Sequence, residues 1–309
     1  MSEAIVAVEN LSKRYGSVRA VDRVSFAIER GQTVGVVGES GCGKSTTARL
    51  IMGLERPSSG TLRFRGEPYG SSARALRPVR RAVGMIFQDP YESLDPRFSV
   101  RELVAEPLRA HGRWRTGGEA RVRELLEAVG LGGVSLGASA SEFSGGQRQR
   151  LGIARALALD PEVVIADEPT SALDVSVQAQ ILNLLLELQR ERGIGLLMIS
   201  HDLHVVRRMS DTIVVMYAGA VMEQGPASSV TSRPRHPYTR ALLDAIPGTS
   251  PGTRRLVDRR RAASGIASAA TTGCPFATRC ARVDDRCRSE RPPLEGSPHA
   301  VACHYPEPA

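Results

Sequence analysis

Short apolar runs alternate along the chain with stretches of helical spacing. Residues 3–9, Glu-Ala-Ile-Val-Ala-Val-Glu, are a short apolar run between two glutamates and predict a strand. Gln32–Val37 is an apolar run that ends in the Gly-rich segment 38–43, and a helical stretch follows from Lys44 to Met52. Glu162–Ala166 and Gly195–Ser200 are apolar on both faces, as strands buried in a parallel sheet tend to be. Between them Val177, Ile181, Leu184, Leu185 and Leu188 recur at helical spacing, and Gly193 stands where a C-cap belongs. Thr212–Met216 and Ala220–Gln224, joined by Ala218-Gly219, predict an antiparallel hairpin. Strands alternating with helices predict an α/β layered fold. Residues 91–160 are rich in Arg, Glu, Ala and Leu, with helical stretches such as 119–129 and no clear strand, and are read as a helical subdomain inserted into that core. From about residue 225 onward Pro, Ser and Arg become frequent, and Ala262–Thr272 reads as a flexible connector. Residues 274–309 hold little periodic apolar sequence and are expected to need cross-links.

The 309 residues suit about two domains of roughly 150 residues each. Hydrophobic residues make up 41% but aromatics only 4%, so the core rests on Ala, Val, Leu and Ile. No apolar stretch approaches the roughly 18–20 residues that cross a bilayer. Met1–Asn10 lacks the basic and then apolar pattern of a secretory signal, so the expectation is a cytoplasmic chain that does not itself cross a membrane. The net charge of +8 is uneven: residues 1–232 carry +2 and residues 233–309 carry +6. Such an excess suits nucleic acid, anionic lipid or an acidic partner, or is simply a solvated surface in a chain whose cations are 39 Arg among 41. The five cysteines are uneven too, with Cys42 alone and Cys274, Cys280, Cys287 and Cys303 clustered near the end, which in a cytoplasmic chain reads as metal ligation before disulfides.

Gly38-Glu39-Ser40-Gly41-Cys42-Gly43-Lys44-Ser45-Thr46 fits the G-x-x-x-x-G-K-[ST] phosphate loop. Its glycines let successive N–H groups turn toward phosphate oxygens, and the following helix offers its positive N-terminus. Lys44 is expected to bridge the β- and γ-phosphates and Ser45 to ligate Mg2+. Val163-Val164-Ile165-Ala166-Asp167-Glu168 delivers two carboxylates at the end of an apolar strand. Asp167 is placed to reach Mg2+ through water, and Glu168 to polarise the attacking water as a general base. Cys42 is read as a small filler rather than a redox switch.

With these residues in view, the chain resembles the nucleotide-binding subunit of an ATP-binding-cassette transporter over residues 1 to about 230. The resemblance implies an α/β P-loop NTPase cassette at 1–230, with the helical subdomain at about 91–160, and a small cysteine-containing extension at 231–309. Phe143-Ser144-Gly145-Gly146-Gln147 is similar to the family's signature segment, with Phe where Leu is commonest, and implies that Ser144, Gly145, Gly146 and Gln147 serve ATP bound to the opposite subunit. By the same resemblance Gln88 touches Mg2+ and water, His201 contacts the γ-phosphate, Tyr15 stacks on adenine, and Ser171-Ala172-Leu173-Asp174 is the dimer-contact loop. It implies ATP and Mg2+ as cofactors and a nucleotide-sandwich dimer with a copy of itself or a paralogue. Two transmembrane permease subunits would complete the assembly on the cytoplasmic face of the membrane, fed indirectly by an extracytoplasmic substrate-binding protein.

Phe87-Gln88-Asp89-Pro90-Tyr91-Glu92-Ser93-Leu94-Asp95-Pro96-Arg97 resembles a segment of oligopeptide, dipeptide and nickel importers, and His236-Pro237-Tyr238-Thr239-Arg240-Ala241-Leu242 the start of their C-terminal extension. The clustered cysteines resemble its end and imply a 4Fe-4S cluster, whose negative charge Arg279, Arg282, Arg286 and Arg288 could offset. Their spacing, C-x5-C-x6-C-x15-C, lacks the tight pair usual in structural zinc sites, so zinc and free thiols stay open beside the cluster. The expected function is ATP hydrolysis that energises import of peptides or of nickel and other metal complexes. The alternative is a soluble ABC ATPase acting on nucleic acid or ribosomes, which only the basic tail favours, so no nucleic-acid partner is expected.

Overall fold

The computed structural model describes residues 4–245 and 272–308, so the expected connector at 262–272 lies outside them except for its last residue. In chain order, β1 (Ala4–Tyr15), β2 (Val18–Glu29) and β3 (Thr33–Val37) lead to α1 (Lys44–Ile51), then β4 (Ser59–Phe64), β5 (Glu67–Pro68), α2 (Arg77–Ala82) and β6 (Val83–Ile86). A helical stretch follows: α3 (Pro90–Ser93), α4 (Val100–Ala110), α5 (Gly118–Ala128) and α6 (Gly145–Ala156). Then come β7 (Val163–Asp167), α7 (Val175–Arg192), β8 (Gly195–Ser200), α8 (Leu203–Met209), β9 (Thr212–Tyr217) and β10 (Ala220–Pro226). The chain ends with α9 (Ala227–Ser232), α10 (Pro237–Asp244), α11 (Asp285–Ser289) and β11 (Ala300–Val301).

The larger sheet has the order β11-β10-β9-β3-β8-β7-β6. Its strands β6, β7, β8, β3 and β9 run parallel, and β10 and β11 close one edge antiparallel. Every residue of β3, β7 and β8 is buried, which is why their sequences read as unbroken apolar runs. A second, antiparallel sheet of order β2-β1-β4-β5 lies beside it, and Val6, Leu11, Val24 and Ile28 of that sheet share one core with Val34, Val36, Leu197 and Ile199. The helical stretch packs Leu103, Val122, Leu125 and Leu151 on one another and, through Leu185 and Leu188, on α7.

Sequence pattern and structure part company in three places. The N-terminal strand continues to Tyr15 instead of ending at residue 9, because the more polar residues after Val8 pass through β-bulges at Val8–Leu11 and Leu11–Lys13 without ending the pairing with β2. The four-residue strand β6 precedes the helical stretch, too short to stand out as a period. The tail, expected to need cross-links, is held by packing and strand pairing. Phe276, Ala277, Cys274 and Cys287 pack against Val37, Val215 and Tyr217 of the sheet and Tyr238 of α10, and β11 pairs with β10, so this end of the tail draws most of its apolar partners from distant segments.

Candidate active site

The phosphate loop runs between β3 and α1, at the carboxyl edge of the parallel strands, where such sheets bind ligands. Gly43 has φ of 104°, and a Cβ there would meet the Ala20 carbonyl at 2.2 Å. At Gly38 a Cβ would lie 2.1 Å from the Met216 carbonyl. Both positions need glycine because the loop is pressed against neighbouring backbone, and the Gly219 N–H of the β9–β10 turn donates to Cys42 O at 2.9 Å. Ser40 and Gly41 form the exposed tip, and buried Cys42 fills the space beneath, with burial pushing its thiol up. Lys44 is only 5% exposed, and its Nζ donates to Gly38 O at 2.8 Å and Glu39 O at 3.1 Å, curling the loop round its ammonium. No side chain caps α1, so N–H groups of its first turn, at Lys44, Ser45 and Thr46, face the space an anion would take.

The carboxylates stand opposite. The Ser45 hydroxyl donates to Asp167 Oδ1 at 3.1 Å. Burial, assisted by the neighbouring Glu168 charge and opposed by the Ser45 bond, raises the Asp167 carboxyl. Glu168 takes φ of +47°, a left-handed conformation that costs a non-glycine residue about 1 kcal/mol or more. Its N–H still reaches Ile199 O at 2.9 Å. Its Oε2 lies 3.0 Å from His201 Nδ1 and 3.4 Å from Gln88 Nε2, and its Oε1 lies 3.9 Å from Lys44 Nζ. Three segments far apart in sequence thus converge on one carboxylate. Ser45, Asp167 and Gln88 offer hydroxyl, carboxylate and amide oxygens on one wall of a cleft of about 1080 Å3, a donor set that fits a hard cation such as Mg2+.

The same cleft is also lined from the helical stretch by Glu106, His111 and Arg155. Arg155 donates to Ser93 O at 2.8 Å and lies over the Phe87 ring, tying the Gln88 segment to α6. These residues carry no sequence signal of their own and were not anticipated. Tyr15 lies at the exposed end of β1, its hydroxyl bonded to Glu55, with Lys13 Nζ 5.0 Å from its ring centroid. Its phenol is raised, first by burial and then by Glu55, with the Thr46 hydroxyl acting against them.

Ser144 caps α6 in a reciprocal box: its hydroxyl accepts from the Gln147 N–H at 3.4 Å while Gln147 Oε1 accepts from the Ser144 N–H at 3.0 Å. Gly146 lets α7 approach, since a Cβ there would lie 2.6 Å from Val177 Cγ1. Ser144 and Gln147 are exposed, and among the described residues no hydrogen bond joins residues 144–147 to the phosphate loop. Asp174 caps α7 next to Val175, which is 82% exposed.

All four tail cysteines are unpaired and line one cavity of about 20 Å3 with His236, Phe276 and His304. Burial pushes the Cys274 thiol to about 11 and also raises Cys287 and Cys303. Among the described residues no group of three or more His, Cys, Asp or Glu is arranged to hold a metal ion. The arginines expected to offset a cluster's charge have carboxylate partners instead: Arg279 with Glu39, Arg286 with Glu290, Arg288 with Asp285, and Arg282 4.0 Å from Glu307. Three of these partners lie in the same C-terminal segment, and Glu39 lies in the phosphate loop.

Two family models match the chain: "ABC transporter" over residues 21–171 and "Oligopeptide/dipeptide transporter, C-terminal region" over residues 222–287. A probable peptide ABC transporter ATP-binding protein of Sinorhizobium fredii is 46% identical over 324 residues, covering 100% of this chain and 92% of the relative. The oligopeptide transport ATP-binding protein OppF of Bacillus subtilis is 50% identical over 263 residues, covering 82% of this chain and 86% of that protein. OppF of Salmonella typhimurium is 46% identical over 293 residues, covering 93% and 88%. Among solved structures, cbiO1 of Clostridium perfringens, described as part of the ABC transporter complex cbiONQ, superposes with a TM-score of 0.67 at 30% identity, covering 75% of this chain and 92% of that one.

Proposed function

The chain belongs to the ABC transporter family of ATP-binding subunits, and from that membership we propose that it hydrolyses ATP to energise import of peptides through a membrane transporter. The observation that carries the ATPase reading is the meeting of Lys44, Gln88 and His201 on the Glu168 carboxylate beside the Ser45–Asp167 pair. Peptides are favoured over metal complexes because the relatives named above are peptide and oligopeptide transport proteins. None of those relatives is a nucleic-acid or ribosome protein, and that alternative is set aside.

In the proposed mechanism the phosphate loop, Gly38 through Thr46, cradles the phosphates, and Tyr15 packs on the base at the exposed end of β1. Lys44 leaves the Gly38 and Glu39 carbonyls, or shares with them, to bridge the β- and γ-phosphates. Mg2+, when bound by Ser45, with Asp167 and Gln88 close by, would neutralise charge between the phosphate oxygens. Glu168 draws a proton from water as it attacks the γ-phosphorus, the bond to the bridging oxygen breaks, and ADP and phosphate leave. His201, held to Glu168, faces the γ-phosphate from the other side.

The N-terminus of α6, exposed and making no hydrogen bond to the chain's own phosphate loop among the described residues, supports a second subunit in the reaction. Ser144, Gly145, Gly146 and Gln147 would reach the ATP of a partner, a copy or a paralogue, with 171–174 as the contact loop. Two permease subunits, and a substrate-binding protein acting through them, complete the proposed assembly. No helix among the described residues is long and apolar enough to cross a membrane, which suits a peripheral subunit on the cytoplasmic face. The test is reconstitution with its neighbouring permeases. ATP-dependent peptide uptake into vesicles supports the reading, and ATP hydrolysis with no response to any peptide counts against it.

For the cysteines the proposal is a four-thiolate site, with 4Fe-4S ahead of zinc. Four unpaired thiols lining one cavity support it, and the soft donor set fits either metal. As the side chains stand, no three of them are arranged to hold a metal ion, so binding requires them to rearrange. Anaerobically purified protein that is brown, contains iron and sulfide, and loses colour in Cys287→Ser supports the cluster. Stoichiometric zinc without iron replaces it with zinc.

A further inference from the structure

The tail reaches the phosphate loop directly. Arg279, between Cys274 and Cys280 in sequence, places its guanidinium as a fork on the Glu39 carboxylate at 2.6 and 2.9 Å. Tyr238 of α10 accepts a hydrogen bond from the Glu39 N–H at 3.0 Å through its hydroxyl. Both partners are themselves held rigidly. Tyr238 is 1% exposed, and its ring lies 4.8 Å from Tyr217 and 5.3 Å from Phe276 between centroids. The Arg279 guanidinium stacks over the Tyr217 and Phe276 rings at 5.6 and 5.7 Å. On its other side Glu39 gives its carbonyl to Lys44 Nζ at 3.1 Å. A continuous path therefore runs from the aromatic platform of the tail through one residue of the loop to the loop's lysine.

We propose that Arg279 and Tyr238 are positioning residues for nucleotide binding: they set the phosphate loop's conformation at Glu39, making the tail a working part of the ATP site. The proposal rests on the reading of that site as a nucleotide site. An ion pair as open to solvent as this one, with side chains 27% and 42% exposed, adds little to stability by itself. What two parallel bonds and a buried hydroxyl do well is restrict geometry. A loop already shaped for phosphate does not have to be ordered when the nucleotide arrives. The tail residues are 199 and 240 positions from Glu39, and only the fold brings them there.

The test is equilibrium titration of Mg-ATP into the full-length chain and its variants, with thermal melting alongside. Arg279→Ala, Glu39→Gln and Tyr238→Phe should each raise the dissociation constant about threefold to tenfold, the scale of one or two lost hydrogen bonds. Glu39→Gln leaves the whole tail in place, so a weakened affinity with an unchanged melting temperature separates positioning from mere docking of the tail. The double variant Arg279→Ala/Glu39→Gln should be no weaker than the weaker single, since the two act through one contact. The swap Glu39→Arg/Arg279→Glu should recover most of the affinity. Wild-type affinity in Glu39→Gln and Arg279→Ala, or additive losses in the double variant, overturns the proposal. A wild-type chain that binds no Mg-ATP overturns the reading of the site itself.

Discussion

Replacing Glu168 by Gln removes one charge and almost no volume from the point where Lys44, Gln88 and His201 converge. The fold should tolerate it. Lys44 keeps its bonds to the Gly38 and Glu39 carbonyls, so no buried cation is left unpaired. Glutamine also retains an oxygen to face His201, which stands 3.0 Å from the present carboxylate. Binding should hold or improve, because the incoming phosphates no longer meet a carboxylate beside Lys44. What disappears is the proposed base. General-base catalysis is worth about 10²–10⁴ in rate, or roughly 3–5 kcal/mol of barrier. The variant should therefore bind Mg-ATP at least as tightly as wild type, form an ATP-stabilised dimer with its partner subunit, and release phosphate at least about a hundredfold more slowly. Phosphate release from the reconstituted transporter, nucleotide titration and size-exclusion chromatography with ATP measure the three. Hydrolysis within about threefold of wild type would refute the base assignment. Loss of nucleotide binding would refute it as well, by making Glu168 a structural residue.

Ser144→Arg should leave ATP binding by the isolated chain intact, because the signature segment makes no hydrogen bond to the chain's own phosphate loop, yet lower hydrolysis by the assembled dimer about a hundredfold; equal losses in isolated-chain binding would count against a site completed by the partner. Burial lowers His236 to about 4, while the unfolded chain takes up its proton near 6.5, so the unfolded state binds more protons between those values and stability falls as pH drops from 6.5 to about 4. That window is worth about 3 kcal/mol, and His236→Asn, which keeps an acceptor for the Tyr238 N–H, should flatten it in denaturant unfolding curves. An unchanged pH slope in that variant would assign the acid sensitivity elsewhere.

The order of the elements, the phosphate loop and the Asp167–Glu168 pair can be read from the chain because their signals are local. A phosphate loop needs its glycines and lysine at fixed spacing, and strands buried on both faces are apolar throughout whatever surrounds them. Gln88 and His201 were placed at the site only through resemblance, as contacts to Mg2+ and to the γ-phosphate, and their reach toward the Glu168 carboxylate was not foreseen, since neither carries a local signal of it. The antiparallel sheet was not anticipated, because β1 and β2 are half-buried, bulged strands whose register shifts at Val8–Leu11. The tail was misjudged for a related reason. Its apolar partners, Val37, Val215, Tyr217 and Tyr238, lie in other segments, so its own sequence looks too poor to fold.

The chain's local chemistry thus marked the candidates for binding phosphate, carrying a proton and ligating a metal. Tertiary structure alone decided which of them act together. It turned Glu168 toward Lys44 through a left-handed backbone, spent on carboxylates the arginines that seemed reserved for a cluster, and set Arg279 against the phosphate loop. The reason is that spacing along a chain encodes contacts within one turn or one strand, whereas an ion pair or a shared hydrogen bond depends on distances that only packing establishes.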